Sequence, residues 1–61
     1  MKAVISLGSN LENRKLNLEI AITHIEQLLN NLVISPFIQT KPVGGPPQDD
    51  FLNAVVIGEC E

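Results

Sequence analysis

Residues 11–32 read LENRKLNLEIAITHIEQLLNNL, and within them Leu11, Leu18, Ile22, Ile25, Leu29 and Leu32 recur at steps of three, four or seven. That spacing draws one apolar stripe along a helix, which Ala21 and Leu28 widen. Glu12, Lys15, Glu19, Thr23, Glu26, Gln27 and Asn30 fall on the opposite face, so the helix rests on something apolar and turns its back to water. The body is expected over about Glu12 to Asn30. Its start is open between Ser9 with Glu12 as a capping box and a later cap at Asn13. Asn30-Asn31 can take the left-handed conformation that ends a helix. His24, on the helix flank beside Ile20 and Leu28, reads as a partly buried structural residue.

Before the helix, Ala3 to Leu7 is a short β-branched run closed by Gly8-Ser9-Asn10, which predicts a buried strand running into a turn. After it, Leu32 to Thr40 resumes a β-like pattern interrupted by Pro36, so this strand lies at an edge or carries a bulge. Phe51 to Gly58 is the last strand. Its alternation puts Phe51, Asn53, Val55 and Ile57 on one face and Leu52, Ala54 and Val56 on the other. Strand, helix, strand, strand is the first portion of a split βαβ, or ferredoxin-like, arrangement. The expected class is therefore α+β: residues 1–61 as one domain, a three-stranded sheet ordered first, third, second, and one helix on one face. The first strand would then keep a free, uncharged edge that invites a second copy of the chain.

Composition narrows the function. Sixty-one residues bury only about 60% of the surface of the unfolded chain, so stability is marginal without help. One cysteine, Cys60, and one histidine, His24, make neither a disulfide framework nor a zinc site. The lone thiol fits a reducing, cytoplasmic compartment. The opening apolar run is too short to span a membrane. Net charge is −3 and the two aromatics, Phe37 and Phe51, are not interleaved with Lys or Arg, which argues against nucleic acid.

Three constellations could carry chemistry. Gly8-Ser9-Asn10 joins strand to helix, where amides could hold an anion, but it lacks the glycine and lysine spacing of a phosphate loop and reads more simply as a capped tight turn. Thr40 to Asp50, with Pro42, Gly44, Gly45, Pro46 and Pro47, is long for a hairpin connection; together with Phe51 and Asn53 on one strand face, it could read a planar polar ring or be a plain surface loop. Asp49-Asp50, with Glu59 and Glu61, is acidic, but adjacent loop aspartates seldom converge on a metal, and solvation is the simpler role.

Ile5-Ser6-Leu7-Gly8-Ser9-Asn10-Leu11, with Arg14 and Asn17-Leu18, is similar to the start of hydroxymethyldihydropterin pyrophosphokinases. Thr40-Lys41-Pro42-Val43-Gly44 through Gln48-Asp49-Asp50-Phe51-Leu52-Asn53-Ala54-Val55-Val56 resembles their pterin-binding segment. The resemblance implies transfer of pyrophosphate from magnesium ATP to 6-hydroxymethyl-7,8-dihydropterin, in the folate pathway. It implies that Phe51 stacks on the pterin, that Asn53 and the Thr40 hydroxyl read its polar edge with backbone groups near Gly8, Lys41 and Val43, and that Pro42 and Gly44 shape the loop. Two departures stand out: Gly45-Pro46-Pro47, where the family commonly has a single glycine, and Lys41, where proline is frequent. Members of the family run to more than twice this length, and the later part brings the magnesium-binding aspartates, the ATP-gripping arginines and a second aromatic. The expectation is thus a truncated pterin-binding portion with no catalytic or metal residue of its own, binding ATP and magnesium poorly and the pterin weakly. The alternative is a stand-alone, self-associating binding or interaction module derived from that family.

Overall fold

The last strand organises everything else. In the computed structural model, which describes residues 1–60, the elements are β1 (Lys2–Ser9), α1 (Arg14–Glu26), β2 (Asn30–Ile34), β3 (Ile38–Thr40) and β4 (Phe51–Glu59). β1 pairs antiparallel with β4 over its whole length, from Lys2↔Glu59 to Ser9↔Leu52. β2 and then β3 pair antiparallel along the other side of β4. The result is an α+β arrangement of one helix and a four-stranded antiparallel sheet, ordered β1-β4-β2 with β3 also on β4.

Four strands replace the three expected because Pro36 splits the segment after the helix. From Ile34↔Val56 to Ile38↔Asn53 the chain advances four residues while β4 advances three. One residue is extra, which makes the break a bulge that reverses the facing of Ile38 to Thr40. Ser35 bridges the gap: its N–H donates to the Val55 carbonyl at 2.9 Å, and its Oγ accepts from the Val55 N–H at 2.8 Å.

The helix is shorter than its apolar pattern. It begins at the later of the two candidate starts, after Asn13, which is left-handed (φ 61°) and makes no side-chain cap. Ser9 stays in β1, where its hydroxyl accepts from the Leu11 N–H at 3.4 Å and the Asn17 Nδ2 at 3.1 Å. At the other end Asn30 and Asn31 do not close the helix. The β4 ladder captures them: between Asn30↔Glu59 and Val33↔Ile57 a second bulge absorbs one residue, Asn31 takes φ 53°, and its Nδ2 donates to Glu59 Oε2 at 2.7 Å. Leu11 and Leu28 therefore lie outside the helix and are exposed, and His24 is exposed where partial burial was expected.

The core sits between α1 and the sheet. Ile22, Ile25 and Val56 are buried, with Ile5, Leu7, Leu29, Leu32 and Phe37 packed around them, and Leu18 and Ala54 extend the buried set. Gly58 lets the turn after α1 come down on β4: a Cβ there would lie 2.7 Å from Leu32 Cδ2 and 2.9 Å from Leu29 Cβ. Thirteen helical residues span about 20 Å and nine strand residues about 30 Å, so one helix cannot roof the sheet. The radius of gyration, 12.8 Å, exceeds the roughly 10.5 Å of a compact chain this long.

Two surfaces are left open. The sheet face away from α1 presents Val4, Ser6 and Gly8 from β1, Phe51, Asn53, Val55 and Ile57 from β4, Val33 from β2, and Ile38 and Thr40 from β3, as the alternation and register place them. The second is the outer edge of β1. Met1 and Cys60 exchange both backbone hydrogen bonds, the Cys60 N–H to the Met1 carbonyl at 2.8 Å and the terminal ammonium to the Cys60 carbonyl at 3.1 Å. Antiparallel pairs alternate, so odd-numbered residues of β1 bond to β4 and Lys2, Val4, Ser6 and Gly8 aim their peptide groups outward.

Candidate ligand-binding site

The polar part of the open face is built by the Pro36 bulge. Without the extra residue, Ile38 and Thr40 would point to the helix side with Val56; with it they share the face of Asn53. Asn53 Nδ2 donates to Thr40 Oγ1 at 2.6 Å and to the Ile38 carbonyl at 3.3 Å. A carbonyl only accepts, so this contact fixes the amide with its nitrogen toward β3 and its oxygen toward β1. Thr40 Oγ1 accepts from Asn53 and keeps its own hydrogen to donate. The site therefore offers an acceptor, Asn53 Oδ1, and a donor, the Thr40 hydroxyl, side by side.

Gly8 stands opposite Asn53 in the β1–β4 ladder. A Cβ at Gly8 would lie 2.9 Å from Asn53 Oδ1 and 3.9 Å from Phe51 Cδ1. Glycine is what lets the amide oxygen and the ring occupy this corner. Phe51, half-buried, supplies an aromatic surface two residues from Asn53 on the same face. A cavity of 230 Å³ adjoins Asn53, lined also by Ser6, Leu7, Ser35, Ile38, Ala54 and Val55.

The loop after Thr40 forms a separate, open concavity of 370 Å³ lined by Lys41, Pro42, Gly44, Gly45, Pro46, Pro47, Gln48 and Asp50. Gly44 and Gly45 both have positive φ, 72° and 74°, which suits glycine there and no β-branched residue. Of the residues singled out from sequence, Gly8, Thr40, Phe51 and Asn53 come together; Pro42 lies in the loop concavity, and Val43 projects fully into solvent. Of the two loop aspartates, Asp50 is engaged: its Oδ2 accepts from Gln39 Nε2 at 2.9 Å. Among the described residues there is no group of three His, Cys, Asp or Glu that could hold a metal ion. Among the described residues no helix is long and apolar enough to cross a membrane.

Asn10 and Gln48 entered the sequence reading only as members of motifs, with no side-chain role, and Ile38 had no place in it. Asn10 Nδ2 donates to Gln48 Oε1 at 2.5 Å and to the Asp49 carbonyl at 3.5 Å, and Arg14 Nη1 donates to the Asp50 carbonyl at 2.6 Å. Pro36 was the signal for Ile38, since a bulge there shifts Ile38 and Thr40 to the other face.

Comparison with known proteins decides the lineage of this platform. Residues 4–61 match the family of 7,8-dihydro-6-hydroxymethylpterin-pyrophosphokinases (HPPK). The chain belongs to the HPPK family. It is 41% identical over 61 residues to the 2-amino-4-hydroxy-6-hydroxymethyldihydropteridine pyrophosphokinase of Haemophilus influenzae (strain ATCC 51907 / DSM 11121 / KW20 / Rd), an alignment that takes in 97% of this chain and 38% of that protein. The chain thus spans less than half the length of this HPPK relative. No solved structure matches it.

Proposed function

We propose that this chain is the pterin-recognition portion of a folate-biosynthesis pyrophosphokinase and that it binds 6-hydroxymethyl-7,8-dihydropterin on its open sheet face. The observation that supports this most is the Asn53 amide, held by Thr40 and Ile38 so that its oxygen faces Gly8. A pterin edge carries an amino group and a ring N–H beside acceptor atoms. Asn53 Oδ1 suits the donors, the Thr40 hydroxyl suits an acceptor, and Phe51 suits one ring face. Pro42 would shape the loop, and backbone groups near Lys41 and Val43 would help to read the polar edge. Family membership supports the same reading independently.

The longer family enzymes use magnesium ATP as the pyrophosphate donor. Phosphoryl-type transfer rests on metal and cationic positioning of charge, and with four Lys and Arg in all the 61-residue polypeptide is expected to bind without turning over. We place it in the cytoplasm and read its strand order as the opening of a ferredoxin-like fold. Titration of the chain with the reduced pterin, monitored by backbone amide shifts, tests the binding. Shifts at Gly8, Thr40, Phe51 and Asn53, lost in Phe51→Ala, are the expected result. Saturable binding that Phe51→Ala leaves unchanged refutes the assignment, and AMP formed from ATP only in the presence of the pterin refutes the inactivity.

The outward peptide groups of Lys2, Val4, Ser6 and Gly8 favour a second feature. Two copies joined β1 to β1 would make one continuous sheet and add the buried area that a chain this small lacks.

A further inference from the structure

The loop between β3 and β4 is tied down at one end only. It starts just past the Thr40↔Phe51 pair. Among the described residues, its hydrogen bonds all fall on Gln48, Asp49 and Asp50. Residues 41–47 carry none, and the left-handed pair Gly44-Gly45 has open space where side chains would stand. Three of the four ties come from Asn10 and Arg14, in the turn after β1 and at the first residue of α1.

Their targets are specific. Arg14 is half-buried, and its guanidinium donates to the carbonyl of Asp50, the peptide group that leads into Phe51. That peptide plane helps to set the backbone from which the Phe51 ring is displayed. Asn10 reaches across to the side chain of Gln48 and approaches the Asp49 carbonyl. Neither residue reaches the Asn53–Thr40 corner; both act on the segment that delivers Phe51 to it. A guanidinium suits this task because it is always charged, which makes its hydrogen bond to a carbonyl shorter and stronger than a neutral one.

We propose that Asn10 and Arg14 are positioning residues: they clamp Gln48 to Asp50, and so hold Phe51 and the loop mouth in the arrangement that receives a planar ring. The choice of ligand rests on the proposed pterin binding; the clamp itself rests on the contacts.

The test uses the 61-residue chain with 6-hydroxymethyl-7,8-dihydropterin as probe, in the parent and in Arg14→Met, Arg14→Lys, Asn10→Ala and Gln48→Ala. Three quantities are read: ligand affinity, the unfolding midpoint, and the amide heteronuclear NOE of residues 43–51 without ligand. Arg14→Met and Asn10→Ala are expected to weaken binding about tenfold and to lower the loop NOE, with little change in unfolding midpoint and with partial recovery of affinity in Arg14→Lys. Asn10→Ala should cost at least as much as Gln48→Ala, and the double variant less than the sum of the two, since they share the Asn10–Gln48 contact. Parent-like affinity and parent-like NOE in Arg14→Met overturn the proposal, as does a loss of affinity fully explained by unfolding. If the parent chain does not bind the pterin, the ligand reading fails, and the NOE alone decides the clamp: lowered in the variants it stands, unchanged it falls.

Discussion

Asn53 and Thr40 meet diagonally across the β3–β4 ladder with Nδ2 and Oγ1 2.6 Å apart, and this contact orients the amide that the open face offers to a ligand. Replacing Thr40 by valine keeps the β-branched shape and removes the hydroxyl. Asn53 keeps its bond to the Ile38 carbonyl, so the fold should persist while the ligand loses one donor. Affinity for the reduced pterin is expected to fall about tenfold with the unfolding midpoint nearly unmoved. Isothermal titration and thermal unfolding of Thr40→Val check both halves; undiminished affinity would remove Thr40 from the site.

Gly8→Ala tests the same corner from β1. Its Cβ would sit 2.9 Å from Asn53 Oδ1, closer than such atoms approach, and the amide side chain must swing away. Pterin affinity should drop more than in Thr40→Val, because both the acceptor and the space beside Phe51 are disturbed. A crystal structure or nuclear Overhauser contacts of Gly8→Ala with Asn53 still bonded to Thr40 would contradict this.

Gly58 plays the opposite part, on the helix side. Alanine there would meet Leu32 Cδ2, in β2, at 2.7 Å and Leu29 Cβ, in the turn that carries the chain from α1 back to the sheet, at 2.9 Å. Overpacking of this kind costs about 1–3 kcal/mol, and a 61-residue chain has little to spare. Urea unfolding of Gly58→Ala should show a midpoint well below that of Gly8→Ala. Equal midpoints would mean that the turn relaxes freely.

The β1 edge makes a prediction about assembly. Val4 aims its N–H outward, so proline at this position removes a donor from the free edge and none from the β1–β4 ladder. Val4→Pro is expected to shift a concentration-dependent dimer to monomer while leaving the secondary structure in place. Sedimentation velocity across micromolar concentrations measures it, and a parent chain that is monomeric throughout, or a Val4→Pro variant that still dimerises, counts against β1 pairing.

Legibility from sequence depends on the range of the interactions involved. The spacing of Leu18, Ile22, Ile25 and Leu29 marks a helix because each turn repeats the pattern locally, and these residues are the ones buried or half-buried against the sheet. The alternation from Phe51 to Gly58 marks a strand for the same reason, and it assigned Phe51 and Asn53 to one face. The helix ends were less legible, since Asn30 and Asn31 are as suited to a left-handed stop as to a left-handed bulge, and only the length of β4 decides that they join its ladder.

The sequence by itself determined an α+β chain, the helix stripe, the facing of the last strand, and the paired motifs that mark the family. What only the tertiary structure decided is which residues meet. Pro36 marks an edge or a bulge without saying which, and it is the one extra residue at Ser35-Pro36-Phe37 that turns Ile38 and Thr40 toward Asn53. The Asn10–Gln48 and Arg14–Asp50 contacts join residues 38 and 36 positions apart, and no local pattern records them. They exist because β1 and β4 lie side by side, which brings the start of the helix beside the end of the loop.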